Sequence, residues 1–404
     1  MGVTTVDIAI VGGGLVGASL GCALAPLIER HGLRVAVIEA APLAAQSGSD
    51  PLADYQPSFD VRASAISLGS RWHFEALGAW AELVREATAI ETIHVSERGR
   101  LGATRLTAQE MGVEALGYVM PNAWMGRVLH ARLGEQALDW QCPARVESIA
   151  PQPEGHRLAL SNGETLEAGL TVLADGGRSG LKERLGIASR TTPYEQSALI
   201  ATLEVGRPHR GVAFERFAPD GPLALLPLQG NRMELIWTHE KGREQATLAL
   251  DDAAFLARLQ AAFGERVGRF RRVGARHVYP LSLVTARETA RPGLAVLGNA
   301  AHSLHPVAGQ GFNLALRGVM DLVTTLESGL AEGHKPGDMA LMQTFEARRE
   351  RDRHNVIRFS DGLIRLFGLD HPLLSHARAA GLVGLNLAGP LRRTLARRAM
   401  GIER

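Results

Sequence analysis

The sequence has 404 residues, of which 46% are hydrophobic and 21% are charged, and its formal net charge is +2. These values indicate a folded protein of two or three domains. They exclude a largely disordered chain and give no signal for a nucleic-acid partner. Two cysteines cannot by themselves form a disulfide framework or a metal site, so we expect no metal and a cytoplasmic location. Glycine is unusually frequent, with 45 residues, and the positions of these glycines are the most informative feature.

The predicted elements begin with one βαβ unit in the first 40 residues. Residues 6–11 predict a buried strand, residues 15–30 a helix and residues 34–38 a second strand. Residues 41–60 are rich in Pro, Ser, Ala and Asp and predict a surface loop. Two helices and three strands that return to the first domain are predicted next. The helices lie at 64–83 and 119–136, and the strands at 145–149, 157–160 and 170–174.

The middle of the chain predicts a mostly β architecture, which a helix at residues 251–263 interrupts. A buried strand at 294–297 follows, and then a glycine-rich turn and a helix near 312–330. This order indicates an α/β fold in which a β-rich substrate domain is inserted into a discontinuous nucleotide-binding domain, with a helical C-terminus. The middle strands are predicted at 198–205, 212–217, 223–227, 233–238 and 277–281. We place the nucleotide-binding domain at 1–190 and 284–335, the substrate domain at 191–283 and the C-terminal segment at 336–404.

The first glycine cluster has the spacing of a dinucleotide-binding turn. Gly12, Gly14 and Gly17 form GxGxxG between a predicted strand and a predicted helix, and Gly13 lies inside the turn. Such a turn brings the backbone close to a pyrophosphate, which the helix N-terminus stabilises. Glu39 ends the second strand 22 residues after Gly17, where a carboxylate would accept hydrogen bonds from a ribose. The alternative is a helix-packing glycine cluster with a glutamate on the surface.

Two later motifs place glycines directly after predicted strands. Residues 172–180 read VLADGGRSG and contain Asp175, and residues 294–313 read LAVLGNAAHSLHPVAGQGFN. Both resemble the signatures of the FAD-dependent aromatic hydroxylases of the p-hydroxybenzoate hydroxylase type. The resemblance implies a Rossmann-like FAD-binding domain of the glutathione reductase type, in which the first motif supports FAD and the nicotinamide cofactor. It implies that the second motif contacts the ribityl chain and the ring of the flavin.

The residue types of the second motif agree with that role. Gly309 and Gly311 leave room for a flat ring against the backbone, and Pro306 stiffens the chain before them. The helix that follows offers its N-terminus to negative charge on the reduced flavin. The cofactor contacts predicted in this motif are Gly298, Asn299, Pro306, Gly309, Gln310, Gly311 and Asn313.

Three further positions match the family more loosely. Arg62 resembles an arginine that follows the long loop and lies near the flavin, and Arg127 resembles a helix residue that contacts FAD. Either could instead be a surface arginine. Val146 is similar to a residue whose backbone meets the adenine. Asn299 stands where most members of the family have Asp, but an amide oxygen can still accept a hydrogen bond from a ribityl hydroxyl.

The resemblance extends to one subgroup of the family and to nearly the whole chain. Residues 89–99, 213–228, 259–268 and 278–283 look like segments of the 2-polyprenyl-6-methoxyphenol hydroxylases of ubiquinone biosynthesis. It implies that a polyprenylated phenol is hydroxylated para to its oxygen to give a 1,4-benzoquinol. O₂ and NAD(P)H would be the co-substrates, with the oxygen delivered by a flavin C4a-hydroperoxide on bound FAD.

Several alternatives stay open. A sister hydroxylase of the same pathway could act at another ring position, a flavin oxidase or reductase could share the fold, and a non-enzymatic scaffold subunit could retain FAD. No second GxGxxG occurs in a βαβ context, so NAD(P)H is expected to bind transiently without a domain of its own. No residue is predicted as the catalytic base. His302 and His305 flank the flavin motif and are expected to have a structural role.

The last segment combines arginines with apolar residues, and Glu403 alone opposes their charge. It suits either contact with the inner face of the cytoplasmic membrane or a solvated helix that closes the domain. A quinone-biosynthetic complex and a homo-oligomer are further expectations. The basic residues are Arg392, Arg393, Arg397, Arg398 and Arg404, and they alternate with Leu387, Leu391, Leu395 and Met400.

Overall fold

The computed structural model describes residues 2–42, 52, 55, 58, 62–99, 103–218, 221–304, 309–368 and 389–402. Its strands are β1 Val3–Val11, β2 Val35–Ile38, β3 Ala63–Ser67, β4 Thr88–Ile90, β5 Thr92–Glu97, β6 Ala103–Thr107, β7 Gly117–Pro121, β8 Asp139–Gln141, β9 Val146–Gln152, β10 Gly155–Leu160, β11 Thr165–Leu173, β12 Ser189–Val205, β13 Val212–Ala218, β14 Gly221–Pro227, β15 Arg232–Glu240, β16 Phe270–Val273, β17 His277–Ala286, β18 Ala290–Arg291, β19 Leu294–Val296 and β20 His302–Ser303. Its helices are α1 Leu15–His31, α2 Leu68–Ala76, α3 Trp80–Leu83, α4 Ala108–Met111, α5 Asn122–Gly134, α6 Leu181–Arg184, α7 Glu244–Leu248, α8 Asp252–Phe263, α9 Gln310–Ala331, α10 Met339–Gly368 and α11 Gly389–Ala399. Short 3₁₀ helices cover Val84–Glu86 and Gly298–Ala300.

A parallel sheet carries the predicted nucleotide-binding turn. Its strands run in the order β19-β11-β1-β2-β8, and each neighbouring pair is parallel. The antiparallel strands β9 and β10 extend from β11, and β18 pairs with β19. Helices α1 and α9 pack together on this sheet and share its core. Because the carboxyl ends of parallel strands meet at one edge, Gly12, Ala174 and Leu297 lie at the same edge.

A second, mixed sheet is built mainly from the middle of the chain. Its strands run in the order β20-β17-β12-β15-β14-β13-β5-β6, and β16 pairs with β12. Helix α8 covers one face, where Phe263 meets Phe214 of β13 at a ring-centroid distance of 5.4 Å. On the same face, Phe255 meets Trp237 of β15 at 6.2 Å. Since side chains alternate along a strand, the intervening residues point to the opposite face, away from α8.

Two segments predicted as single helices begin as strands. β3 precedes α2 and β7 precedes α5, and together with β4 they form a small antiparallel sheet. The predictions at 64–83 and 119–136 were wrong at these ends, because a short apolar run looks the same in a buried strand and in a buried helix. β5 and β6 were not predicted, and β5 pairs with β13 in the mixed sheet. The division of the chain into domains stays a prediction.

The C-terminal segment is helical where the structure describes it. α10 packs against α9, and the chain after α11 returns to α2, where the Gly69 N–H donates to the Met400 carbonyl at 2.9 Å. Ala396 and Met400 are buried in a core that β7 shares, so protein covers the apolar side of α11. Residues 369–388 and 403–404 lie outside the described part of the chain. None of the described helices has the length and apolar character of a membrane span.

Candidate active site

The turn after β1 is as closely packed as its glycines allow. Gly12 has a φ of +105°, and a Cβ there would lie 2.7 Å from the Ala174 carbonyl oxygen. A Cβ at Gly17 would lie 1.8 Å from the Gly12 carbonyl oxygen, so a side chain would push α1 away from β1. A Cβ at Gly14 would meet no atom of the described residues within 4 Å. The first turn of α1 contains no acidic residue, and no side chain in the described part of the chain caps its N-terminus, so open space adjoins uncapped backbone N–H groups.

Glu39 is held against this turn. Its Oε2 accepts a hydrogen bond from the Gly13 N–H at 2.7 Å, and its Oε1 accepts one from the Ala41 N–H at 2.8 Å. A carboxylate has more acceptor sites than these two bonds use, so Glu39 keeps capacity for ribose hydroxyls. His130 donates from Nε2 to the Gly13 carbonyl at 2.7 Å, because a carbonyl can only accept. His130 therefore positions the turn, a role that the sequence motifs did not reveal.

Asp175 organises the turn that follows β11. Its Oδ1 accepts a hydrogen bond from the Gly177 N–H at 2.9 Å, and its Oδ2 accepts hydrogen bonds from the backbone and the hydroxyl of Ser179. Gly177 in turn lies against the 3₁₀ helix after β19, since a Cβ there would be 3.4 Å from the Asn299 carbonyl oxygen. The Asn299 side chain is exposed at this junction. The turns after β11 and β19 therefore meet beside the turn after β1.

The N-terminus of α9 approaches the same region from β3. Gly309 has a φ of +58°, and a Cβ there would lie 2.9 Å from the Cβ of Ala65. Asn313 joins α9 to β3, since its Oδ1 accepts a hydrogen bond from the Ser67 N–H at 2.8 Å and its Nδ2 donates to the Ala65 carbonyl at 2.9 Å. Among the described residues, a Cβ at Gly311 would meet nothing within 4 Å, and none of them caps the N-terminus of α9 with a side chain. The Asn313 amide is thus engaged within the protein, whereas the backbone around Gly311 is open.

Other residues of the second motif lie around these turns. Gly298 has a φ of +61° and packs against α1, where a Cβ would lie 3.0 Å from the nearest side-chain atom. Gln310 is buried, and its Nε2 donates to the Ala399 carbonyl of α11 at 3.3 Å. Pro306 and His305 lie outside the described residues. The motif therefore links α1, α9 and α11 at one place.

The three residues that match the family more loosely lie at the margin of the turns that follow β1, β11 and β19. Arg62 is exposed at the start of β3, and its guanidinium lies 5.0 Å from the ring centroid of Tyr279 in the mixed sheet. Arg127 is half-buried on α5, next to Gly126, which faces the start of α1. Val146 is buried at the first position of β9. Their roles in cofactor binding stay predictions.

These features fit an FAD molecule. The uncapped N-termini of α1 and α9 can stabilise the negative charge of a pyrophosphate and of a reduced flavin. Open space beside Gly14 and Gly311 allows a phosphate and a flat ring to approach the backbone closely. Glu39 and the exposed Asn299 offer acceptors for the hydroxyl groups of the ribose and of the ribityl chain.

Two glutamates on the mixed sheet point away from α8, and the sequence motifs missed both. Glu234 of β15 is 3% exposed, and its Oε1 accepts a hydrogen bond from the Ala63 N–H at 3.0 Å. Burial raises the pKa of Glu234 to about 7, although that hydrogen bond and Arg62 oppose the rise. Burial likewise raises the pKa of Glu215 on β13 to about 7. A glutamate within a mostly apolar run, as in AFERF and MELIW, is the sequence signal that could have identified them.

Apolar side chains separate these glutamates on the sheet, and the polar Thr202 of β12 lies directly beside Glu234. From the strand spacing and register, the Cα atoms of Glu215 and Glu234 lie about 12 Å apart. Between and beside them the sheet presents half-buried apolar residues, of which Leu226 also packs against the core that contains Ala213 and Val119. We call this surface the apolar floor, and it consists of Val95, Ile200, Ala224, Leu226 and Ile236.

A buried ion cluster braces α9 against α10 beyond the site. Arg317 donates to Asp352 at 2.8 Å, and Arg349 donates to Asp321 at 3.3 Å and to Asp352 at 3.1 Å. His302 is buried beside a small cavity that Arg349 also lines. Burial and the nearby arginines lower the pKa of His302 to about 3. A neutral, enclosed imidazole agrees with the structural role expected from the sequence.

Comparison with known proteins identifies the family. The family model described as an FAD binding domain matches residues 5–360. Ubiquinone hydroxylase UbiL of Rhodospirillum rubrum is 38% identical over 397 residues, which cover 98% of this chain and 89% of the relative. The 3-demethoxyubiquinol 3-hydroxylase of Escherichia coli is 30% identical over 98% of both chains. The crystal structure of p-nitrophenol 4-monooxygenase PnpA from Pseudomonas putida shares the fold, with a TM-score of 0.78 at 15% identity over 99% of both chains.

These matches confirm the predicted fold class, the monooxygenase activity and the FAD cofactor. They also agree with the arrangement of the turns, since the family match begins just before the first glycine cluster and continues through α9 into α10. The chain belongs to the FAD-binding-domain family, as an FAD-dependent monooxygenase related to the hydroxylases of ubiquinone biosynthesis.

Proposed function

We propose that this protein hydroxylates 2-polyprenyl-6-methoxyphenol to 2-polyprenyl-6-methoxy-1,4-benzoquinol, consuming O₂ and NAD(P)H. The observation that carries the proposal is the apolar floor on the mixed sheet, on the face that also carries Glu234. An aromatic ring with methoxy and prenyl substituents gains free energy from burial on such a surface. The relatives named ubiquinone hydroxylase and 3-demethoxyubiquinol 3-hydroxylase support a prenylated precursor of a quinone as the substrate class.

In this proposal the chain's own residues bind, orient and shield the reactants. The α1 N-terminus would hold the pyrophosphate of FAD, Glu39 would bind its ribose, and the α9 N-terminus would stabilise negative charge on the reduced flavin. FAD, when bound, supplies the redox chemistry by passing electrons from NAD(P)H to O₂. One oxygen atom enters the substrate ring and the other leaves as water. The mixed sheet would cover the reacting face and exclude water that would divert the oxidant.

A second candidate function is hydroxylation at another ring position of the same substrate class. The Escherichia coli relative, whose name specifies a 3-hydroxylase, favours this candidate. The apolar floor offers similar side chains across several strands, so it accommodates more than one ring orientation.

Product analysis separates the two candidates. FAD-loaded protein is incubated with 2-polyprenyl-6-methoxyphenol, NAD(P)H and O₂, and the position of the new hydroxyl group is determined by NMR. A hydroxyl group para to the phenol oxygen supports the proposal, and one at another carbon supports the second candidate. NAD(P)H oxidation that yields hydrogen peroxide and no hydroxylated ring contradicts both candidates and favours an oxidase.

We further propose that α11 holds the protein at an anionic membrane surface, where a prenylated substrate resides. Arg393, Arg397 and Arg398 are exposed on α11. Trp72, which is 44% exposed, lies on α2 one turn after Gly69, the contact point of the chain that follows α11. Because protein covers the apolar side of α11, the contact is electrostatic rather than an insertion. Assembly with other quinone-biosynthetic proteins or with a second copy stays a prediction.

A further inference from the structure

Glu215 points from β13 into the space between the mixed sheet and the small sheet. Its neighbour Phe214 points the opposite way, where its ring meets Phe263 of α8 at 5.4 Å. Side chains alternate along a strand, so Glu215 shares its face with Ala213. Ala213 packs in one core with Val119 of β7, which fixes the direction of that face. The Glu215 carboxyl is therefore directed toward the side of the sheet that carries the apolar floor.

This carboxyl group is desolvated, and no residue in the described part of the chain pairs with it. Within the described part of the chain, Glu215 has neither a hydrogen-bond partner nor an ion-pair partner. The surrounding protein is dense enough that burial alone raises the Glu215 pKa to about 7. The side chain nevertheless remains only half-buried, so part of it is accessible. An unpaired, desolvated and accessible carboxyl group is the arrangement expected of a residue that binds a ligand.

The neighbours of Glu215 suit an aromatic ligand. The strand register places Val95 of β5 and Ala224 of β14 beside Glu215, and Ile236 of β15 beyond Ala224. All three are half-buried. A ring lying on this row presents a hydroxyl group at its edge to the carboxylate. Glu234, the other buried carboxyl group on this face, is already held by a backbone N–H, so it is less free to act on a ligand.

From this geometry we propose that Glu215 accepts the phenolic proton of the substrate, an assignment that rests on the proposed function. The phenol O–H bond breaks, its electron pair stays on the oxygen, and the proton moves to a carboxylate oxygen of Glu215. The resulting phenolate is more electron-rich at the ring carbon that forms the new C–O bond. When the ring becomes aromatic again, the C–H proton leaves to solvent and Glu215 returns its proton to the phenol oxygen.

The basicity of Glu215 suits this transfer. A carboxyl group with a pKa of about 7 is a stronger proton acceptor than one at the ordinary value of 4.5, by roughly 300-fold in the equilibrium constant. It is also deprotonated just above neutral pH, the state that a base requires. Burial of the Glu215 carboxyl group thus gives it the basicity that proton transfer from the phenol needs.

The test compares Glu215→Gln with the wild type, both loaded with FAD, and uses Glu240→Gln as the matched control. Glu240 is an exposed glutamate at the end of β15, so its variant should behave as the wild type. With 2-prenyl-6-methoxyphenol as the substrate, we expect Glu215→Gln to lose about 100-fold or more in kcat. Its FAD content and melting temperature should stay unchanged, and its KM should change by less than about threefold.

A pH profile distinguishes a base from a structural residue. The wild-type rate should fall as the pH drops through about 7, because a protonated Glu215 cannot accept a proton. Glu234, whose pKa is also raised to about 7, and Glu97 lie on the same face as Glu215. The fall in rate at low pH is therefore assigned to Glu215 only if Glu215→Gln abolishes it. The deficit of Glu215→Gln should shrink as the pH approaches about 10, where a phenol ionises without a base.

Two results overturn the assignment of Glu215. One is a kcat for Glu215→Gln within about threefold of the wild type at pH 7. The other is a ratio of Glu215→Gln kcat to wild-type kcat that is the same at every pH. The wild-type product tests the proposed function separately: hydroxylation at another carbon refutes the ring position, while the ratio of variant to wild-type rate still tests Glu215. A wild type that hydroxylates no phenol overturns both proposals.

Discussion

Replacing Gly17 by alanine perturbs the packing on which the FAD turn depends. The new Cβ would lie 1.8 Å from the Gly12 carbonyl oxygen, 3.0 Å from its carbonyl carbon and 3.2 Å from Cγ2 of Ile10. Non-bonded carbon and oxygen atoms stay about 3 Å or more apart, so α1 must move by roughly 1 Å relative to β1. Overpacking of this kind costs about 1–3 kcal/mol of folding free energy. The same shift would displace the backbone N–H groups at the N-terminus of α1, which are proposed to bind the pyrophosphate.

Gly14→Ala provides the matched control, because it adds the same methyl group three residues earlier. Gly14 has a φ of −67°, which alanine adopts readily, and its Cβ would meet nothing within 4 Å. We therefore expect the free energy of unfolding without FAD to change by less than about 1 kcal/mol. The methyl group would nevertheless occupy the space that we propose for the pyrophosphate. Both variants should thus bind FAD at least about tenfold more weakly, but only Gly17→Ala should be destabilised without FAD.

The assay measures thermal unfolding of FAD-stripped protein and then titrates FAD by its absorbance. We expect a lower melting temperature only for Gly17→Ala, and a smaller FAD-dependent stabilisation for both variants. A wild-type melting temperature for stripped Gly17→Ala would refute the packing argument. Wild-type FAD affinity for Gly14→Ala would refute the placement of the pyrophosphate at the N-terminus of α1.

Three further predictions concern stability, pH and membrane contact. Asp352→Ala leaves Arg317 and Arg349 partly unpaired in the core and should cost about 3–5 kcal/mol by denaturant unfolding. Asp252→Ala, which removes an exposed partner of a surface ion pair, should cost less than about 1 kcal/mol. Equal losses of unfolding free energy in Asp352→Ala and Asp252→Ala would contradict the role of burial. Because burial raises the Glu234 pKa from 4.5 to about 7, stability should fall as the pH rises through that range. Glu234→Gln should remove up to about 3 kcal/mol of this decrease in the free energy of unfolding. If the variant's unfolding free energy falls with pH as steeply as that of the wild type, the raised Glu234 pKa is contradicted. Replacing the exposed arginines of α11 by glutamine should weaken binding to anionic vesicles roughly 10–100-fold and leave neutral vesicles unaffected, and unchanged binding would exclude α11 as the contact.

Local geometry explains what the sequence could predict. The GxGxxG turn constrains residues that are neighbours in the chain, so Gly12 and Gly17 could be assigned to a tight strand-to-helix turn before any contact was known. Alternating and periodic apolar patterns likewise predicted most strands of the mixed sheet and helices α1, α8 and α9. These features depend on the local backbone and hardly on the tertiary fold.

What the sequence could not predict depends on pairing between distant segments. β3 and β7 are strands because they pair with each other, and five apolar or small residues do not reveal that partner. The positions of Glu215 and Glu234 follow from the register of β13, β14 and β15 and from the face that α8 occupies. Glu215 lies in the segment 213–228 that carries the family resemblance, but that segment does not single out its carboxyl group, and Glu234 lies outside every motif used. Their common face became visible only in the folded chain.

The origin of the oxygen atom in the product tests the central claim most directly. FAD-loaded protein is supplied with 2-polyprenyl-6-methoxyphenol and NAD(P)H under ¹⁸O₂, and the product is examined by mass spectrometry. We predict one ¹⁸O atom in the new ring hydroxyl group, with NAD(P)H consumed in step with product. An unlabelled product, or NAD(P)H oxidation that forms only hydrogen peroxide, would contradict assignment of this protein as a hydroxylase of prenylated phenols.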